Sequence, residues 1–385
     1  MKRRVVHAIL VAAGLLALVT HPGAQPVASI AWKQVAPGVE HASLQRTLDA
    51  GGQAAGPFAI NALRLDLAQV RLDVIHALDE AVGLETTSSI AERLGAIAAI
   101  NGGYFRTTGT FRGDSTGTLQ IDGTILSEPD RSRSAVGFLR SASATRLVFG
   151  QVDWTAHVTV AGQPRAIDGL NRARGDNDVV LFTPGFHRTT LTDDGGVEVV
   201  VRSGVVTDIR DHGGSSAIPL DGFVVSAKGS GREWALATFK RGVRVSLSIR
   251  LHPAEPGSQN PWATAEDIVG AGPRLVSGGR IDITTERERM LPTFATDRHP
   301  RTAIGVLSDG RALLVVVDGR QLALSVGMSL EELAQLLLEF GAVDAINLDG
   351  GGSTTMVVER QIVNHPSDPT GERPVSDAIV VRPRR

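Results

Sequence analysis

The 385-residue sequence contains no cysteine, which excludes disulfide frameworks, thiolate zinc sites, cysteine nucleophiles and cysteine-anchored lipids. Aromatic residues make up 4%, and one tyrosine, Tyr104, serves the whole chain. Neither sign of charge dominates: 39 Lys and Arg stand against 41 Asp and Glu, a net charge of −2. So small an imbalance gives no long-range pull toward nucleic acid or an anionic membrane. Lysine is scarce too; Lys2, Lys33, Lys228 and Lys240 accompany 35 arginines. Long apolar runs are missing. The longest, residues 5–19, is too short to cross ~30 Å of hydrocarbon comfortably at ~1.5 Å per residue.

That run follows Lys2-Arg3-Arg4 and ends in Thr20-His21-Pro22-Gly23-Ala24-Gln25-Pro26. A basic start, a short apolar run and a helix-breaking tail with small residues predict a secretory signal over 1–24. The expected product is an exported protein, periplasmic or secreted, with no stable membrane span after cleavage.

What is abundant is glycine, 43 residues, within a chain that is 42% apolar. This combination predicts a packed core with many tight turns rather than a helical bundle. Extended patterns run over 58–78, 140–160, 197–209 and 243–251. Asp122-Gly123, Gly195-Gly196, Gly278-Gly279 and Asp309-Gly310 read as hairpin turns. Helices are few. One spans 329–340, where Ser329 and Glu332 form a capping box and Gly341 ends it; a shorter one spans 89–94, with Ser89 and Glu92 in the same roles. The expected fold is α+β: a strand-rich single large domain with a mixed sheet and few helices. Residues 25–85 read as a strand-rich lead or accessory layer, and 86–385 as the main domain.

Two segments share one pattern. Gly95-Ala96 leads through a short apolar strand to Asn101-Gly102-Gly103-Tyr104-Phe105. Gly341-Ala342 leads through another to Asn347-Leu348-Asp349-Gly350-Gly351-Gly352-Ser353-Thr354-Thr355. Glycines in series let backbone approach a bound group and offer N–H donors to an anion. No Gly-Lys-Ser/Thr follows, so this is not a P-loop, and nucleotide binding is not expected.

These two blocks resemble the signature blocks of the phosphodiester glycosidase family. Thr86-Thr87-Ser88, Gly272-Pro273-Arg274-Leu275-Val276, Pro300-Arg301-Thr302-Ala303-Ile304-Gly305, Val317-Asp318-Gly319-Arg320 and Arg373-Pro374-Val375-Ser376 follow the family's order and spacing. The likeness runs from about residue 58 to 382. It implies an exported hydrolase that cleaves sugar-1-phosphodiesters, of the N-acetylglucosamine-1-phosphodiester kind, to free sugar and a phosphomonoester. Envelope or exopolysaccharide material is the expected setting. Two alternatives stand beside it: a metal-dependent phosphodiesterase, and a noncatalytic carbohydrate-binding envelope protein.

Such a reaction needs cations on the phosphate and a carboxylate near the anomeric carbon; the acidic leaving group reduces the need for a general acid. Guanidinium forks match phosphate oxygens. Arg301 is the first choice, followed by Arg373 and Arg320. Asp349, at the head of the glycine turn, is the leading carboxylate, and Asp318 the second. Asn101 and Asn347 are candidates for sugar hydroxyls and Tyr104 for stacking. Gly102, Gly103, Gly350, Gly351, Gly352, Ser353 and Thr354 are candidate donors to the substrate. Histidines show no paired ligand spacing, so no metal is required. Asp318, Asp344 and Asp349 are the oxygen ligands a Ca²⁺ or Mg²⁺ ion would have.

Overall fold

Asp309-Gly310 closes a hairpin between two buried apolar strands, as its turn chemistry dictates. Around such hairpins the computed structural model describes residues 30–48, 54–79 and 82–384. The expected signal, 1–24, lies outside the described residues. Residues from Trp32 onward form one unit.

Eleven elements position the site. They are strand β1 (Ala54–Leu65), strand β2 (Val70–His76), helix α1 (Thr87–Arg93), strand β3 (Ala98–Asn101), strand β4 (Arg274–Ser277), strand β5 (Arg301–Leu307), strand β6 (Ala312–Val317), helix α2 (Leu330–Glu339), strand β7 (Ala342–Asn347), strand β8 (Met356–Val358) and strand β9 (Asp377–Pro383). An eight-stranded sheet carries β1-β6-β5-β7-β4 as its inner order, and a five-stranded sheet carries β8-β3-β9-β2. Leu63, Ile304, Leu314, Val316 and Ile346 of the first meet Leu72, Ile100, Ile379 and Val381 of the second in one core. Burial of apolar area on this scale is the main stabilising term. The segment read as an N-terminal lead supplies β1 and β2, hydrogen-bonded directly to β6 and β9.

The strand-rich reading holds, and helices are short and few. Pairing is antiparallel throughout the described ladders except between Gly169–Leu170 and Val179–Phe182, so only the sheet holding that pair is mixed.

Several boundaries differ from expectation. The pattern over 58–78 is two strands, because Asp66 folds a turn by accepting from Ala68 N at 3.0 Å. The pattern over 197–209 is a hairpin turning at Ser203-Gly204, both with positive φ. Gly195-Gly196 is not a hairpin turn; a Cβ on Gly196 would lie 2.3 Å from Ala227 O, so close packing explains that glycine. Helix α1 begins before Ser89, with Thr86 as its cap, and the Ser89 hydroxyl donates to Glu85 instead. Helix α2 carries the expected Ser329–Glu332 capping box.

Candidate active site

The ends of β3 and β7 bring the two glycine turns together. Asp349 N donates to Gly102 O at 3.1 Å, and Asn101 Nδ2 donates to Asp349 O at 2.6 Å. Asn101 Oδ1 accepts from Thr302 Oγ1 at 2.9 Å and Thr355 N at 3.1 Å. Fully buried, Asn101 is thus a fastener between strands and offers nothing to a ligand. Gly102 N and Gly103 N are also engaged: they donate to Asp377 O at 3.0 Å and Asp377 Oδ1 at 2.8 Å. A Cβ on Gly102 would sit 2.0 Å from that carboxylate oxygen, which is why glycine stands there. Asn101, Gly102 and Gly103 therefore support the site from behind.

The second turn faces a cleft of about 260 Å³, lined by Asp349 and Gly350 to Gly352. Burial lifts the Asp349 carboxyl to about 7; the Ser353 hydroxyl, the Arg373 guanidinium and Gly350 N–H pull it down, and the Asp377 charge pushes it up. The carboxyl is then close to half ionised at neutral pH, the condition that suits a general base. Ser353 Oγ lies beside it but forms no bond of good geometry, and remains a buried hydroxyl without a partner, as does Thr355 Oγ1. Thr354 Oγ1 accepts from Thr302 Oγ1 at 3.4 Å, within the wall.

Three arginines line the same cleft. Arg301 is 2% exposed, and no carboxylate among the described residues pairs with it. Its Nε donates to Met328 O at 2.9 Å, and Nη2 donates to Phe294 O at 3.0 Å and Asp297 O at 2.8 Å. Nη1 has no protein partner among the described residues. Burial lowers the pKa of Arg301 to about 10, so it stays charged at neutral pH without a counter-ion in contact. Among the described residues the guanidinium of Arg320, whose φ is 62°, reaches only His299 Nδ1, at 3.5 Å. Arg373 Nε donates to Asp368 Oδ2 at 2.7 Å. Its outer nitrogens lie over Gly352, where a Cβ would be 2.4 Å from Nη2, so any larger residue would displace the fork.

Tyr104 lines the cleft, and Asn347 is buried and bonded to it from behind. Tyr104 Oη donates to Gly272 O at 2.7 Å and accepts from Asn347 Nδ2 at 3.1 Å. Burial and the charge of Asp349 raise its pKa, keeping it neutral. Asn347 Nδ2 also donates to Gly272 O and Leu348 O, and its Oδ1 is buried without a donor.

Asp318 is elsewhere. It is 1% exposed and accepts from Asn364 Nδ2 at 2.9 Å and from His365 N at 3.0 Å. It fastens the 364–365 loop and does not line the cleft. Asp318→Asn is expected to lower stability by about 1–3 kcal/mol, the cost of disrupting a buried hydrogen-bonded acceptor. Turnover should stay within severalfold of the parent, and thermal melts with steady-state rates would check both.

Among the described residues, no three His, Cys, Asp or Glu side chains gather to hold a metal ion, so Asp318, Asp344 and Asp349 are not brought together. Two cleft residues were not singled out from the sequence, His299 and Phe294. His299 has its pKa lowered by burial and then by Arg301 and Arg320, leaving a neutral imidazole in the wall. Its adjacency to the Pro300-Arg301 block was the available signal.

A family model described as phosphodiester glycosidase matches residues 195–382. Over that segment, just under half of the chain, it is similar to the phosphodiester glycosidase family. The match contains Asp349, Arg301, Arg320 and Arg373, while Asn101 and Tyr104 lie before it. N-acetylglucosamine-1-phosphodiester alpha-N-acetylglucosaminidase from Bos taurus is 44% identical over 68 residues, 18% of this chain and 12% of that protein. The chain spans 13% and 12% of the lengths of the first two curated relatives. A solved protein from Burkholderia pseudomallei K96243 is 28% identical with a TM-score of 0.76, covering 87% of this chain and 76% of that one. A hypothetical protein from Synechocystis, 23% identical with a TM-score of 0.77 over 92% of this chain and 64% of that one, shares the fold.

Proposed function

We propose that the protein hydrolyses sugar-1-phosphodiesters at the C1–O bond. The observation that carries this reading is the placement of Asp349, with its carboxyl near 7, in one cleft with Arg301, Arg320 and Arg373. Arg320, Nη1 of Arg301 and the outer nitrogens of Arg373 hold the phosphate oxygens. Asp349 takes a proton from water as the water oxygen bonds to C1. The C1–O bond breaks, and its electron pair leaves on the phosphate oxygen. Because a phosphomonoester is already a good leaving group, little proton donation is needed. The products are free sugar and phosphomonoester. N-acetylglucosamine-1-phosphodiesters are the substrates the family match favours, and exported envelope or exopolysaccharide material is the setting we propose.

The test is turnover of a synthetic N-acetylglucosamine-α-1-phosphodiester in ¹⁸O-labelled water. Label is expected in the sugar. Label in the phosphate would mean P–O cleavage and would overturn the mechanism.

A further inference from the structure

A second lobe of about 430 Å³ adjoins the cleft, and Tyr104, Phe294 and His299 line both. Three more arginines, Arg131, Arg133 and Arg289, line this lobe, against one carboxylate, Asp297. Arg289 is exposed, and although its backbone N donates to Glu286 O at 3.0 Å, its guanidinium has no hydrogen-bond or ion-pair partner among the described residues. Among the described residues Arg131 reaches only Asp130, at 3.7 Å. Arg133 shares the same Asp130 at 3.2 Å, and its Nε is buried without an acceptor. The lobe therefore holds more positive charge than its own carboxylates neutralise.

The backbone adds an independent observation. Among the described residues four arginines have positive φ: Arg131 and Arg289 at 53°, Arg320 at 62° and Arg360 at 66°. That region is unfavourable for a residue with a long side chain, and such conformations gather at ligand sites where the surrounding structure enforces them. Three of the four line the two lobes. Between the arginines the surface is apolar, with Met290 and Leu291 beside Phe294, and Leu291 is 75% exposed. A short hydrocarbon stretch fits this surface with a charged end among the guanidinium groups.

We propose that the lobe lined by Arg131, Arg133 and Arg289 is a second anion subsite, which takes a negatively charged group on the alcohol side of the diester. The inference rests on the reaction proposed above and deepens it. The preferred substrate carries two anionic groups: the scissile phosphodiester held near Asp349, and a phosphate or carboxylate borne by the leaving alcohol. Repeating anionic glycans have that chemistry.

Two ligands separate the charge from the rest: N-acetylglucosamine-α-1-phosphoglycerol, and the same diester with a terminal phosphate on the glycerol. Each is titrated by calorimetry into the full-length Asp349→Asn protein, and each is offered to the wild type for hydrolysis. The phosphate-bearing ligand is expected to bind at least ~10-fold tighter, and the difference should shrink from ~50 to ~500 mM salt as the charges are screened. Adding Arg131→Ala and Arg289→Ala, or the Gln pair if the Ala pair melts early, should abolish the difference and leave binding of the plain diester unchanged. Equal affinity for the two ligands, absence of binding by both, or equal loss of both in the double variant would overturn the subsite. Tighter binding of the phosphate-bearing ligand with no hydrolysis of either diester would sink the proposed reaction and leave the subsite standing.

Discussion

Asp349→Asn is expected to lower turnover by ~10²-fold or more, the scale of losing one positioned proton acceptor. Asparagine keeps the size and the hydrogen-bonding reach of the side chain but cannot accept the proton. The wild-type rate should rise with pH through about 7, where the carboxyl ionises, and the variant should lack that limb. Stability moves the other way. Burial raises the folded-state value from 3.8 to about 7, so in that window the native state holds a proton the unfolded chain has released. By linkage, this group's contribution to stability is present below pH 3.8 and is lost as pH rises to about 7. The variant removes that loss, and its melting temperature at pH 8 should equal or exceed the wild type's. Wild-type turnover in a folded Asp349→Asn protein would end the assignment. A melting temperature that falls at pH 8 would show that the carboxylate is held by more favourable contacts than its surroundings provide.

Arg301→Lys is the second large effect. Lysine keeps the charge but replaces a planar fork with one point donor, which cannot meet three carbonyls and a phosphate together. The expected loss in kcat/KM is ~10²-fold, comparable to removing one transition-state donor. The melting temperature should fall as well, because Met328 O, Phe294 O and Asp297 O lose donors at a buried position, at about 1–3 kcal/mol for each acceptor left unsatisfied. Inhibition by inorganic phosphate separates the two roles. It should weaken by at least ~10-fold if Nη1 faces the anion; undiminished inhibition in a folded variant would restrict Arg301 to holding the main chain around residues 294–297 and 328.

Burial decides which of the candidate residues meets a ligand. Asp318 and Asp349 follow the same pattern in the chain, each just beyond an apolar strand and each followed by glycine. Asp318 is enclosed by Asn364 and His365, whereas Asp349 opens onto a cleft shared with Arg301, Arg320 and Arg373. The longer glycine run after Asp349 ranks the two, but nothing local to either carboxylate says which one is enclosed. The two glycine turns divide in the same way: Gly350 to Gly352 line the cleft, while Asn101, Gly102 and Gly103 are engaged by Asp377, Thr302 and Thr355.

The sequence by itself determined the strand-rich fold, the capping box of α2, the hairpin at Asp309-Gly310 and the resemblance to the family, because turn chemistry, capping and apolar periodicity are local and the signature blocks are contiguous. It also indicated Asp349 and Arg301 through those blocks. Only the tertiary structure decided that Asp318 is a fastener, that His299 and Phe294 complete the wall, and that Arg131, Arg133 and Arg289 extend the cleft. Arg131 and Arg133 precede Ser134–Arg140, a strand of a further, seven-stranded sheet, and lie more than a hundred positions before Arg289, Phe294 and His299; what joins the two segments is the packing of three sheets over one core. Periodicity reports which face of a strand is buried; it carries no information on which loop ends the folded sheets bring to the same side.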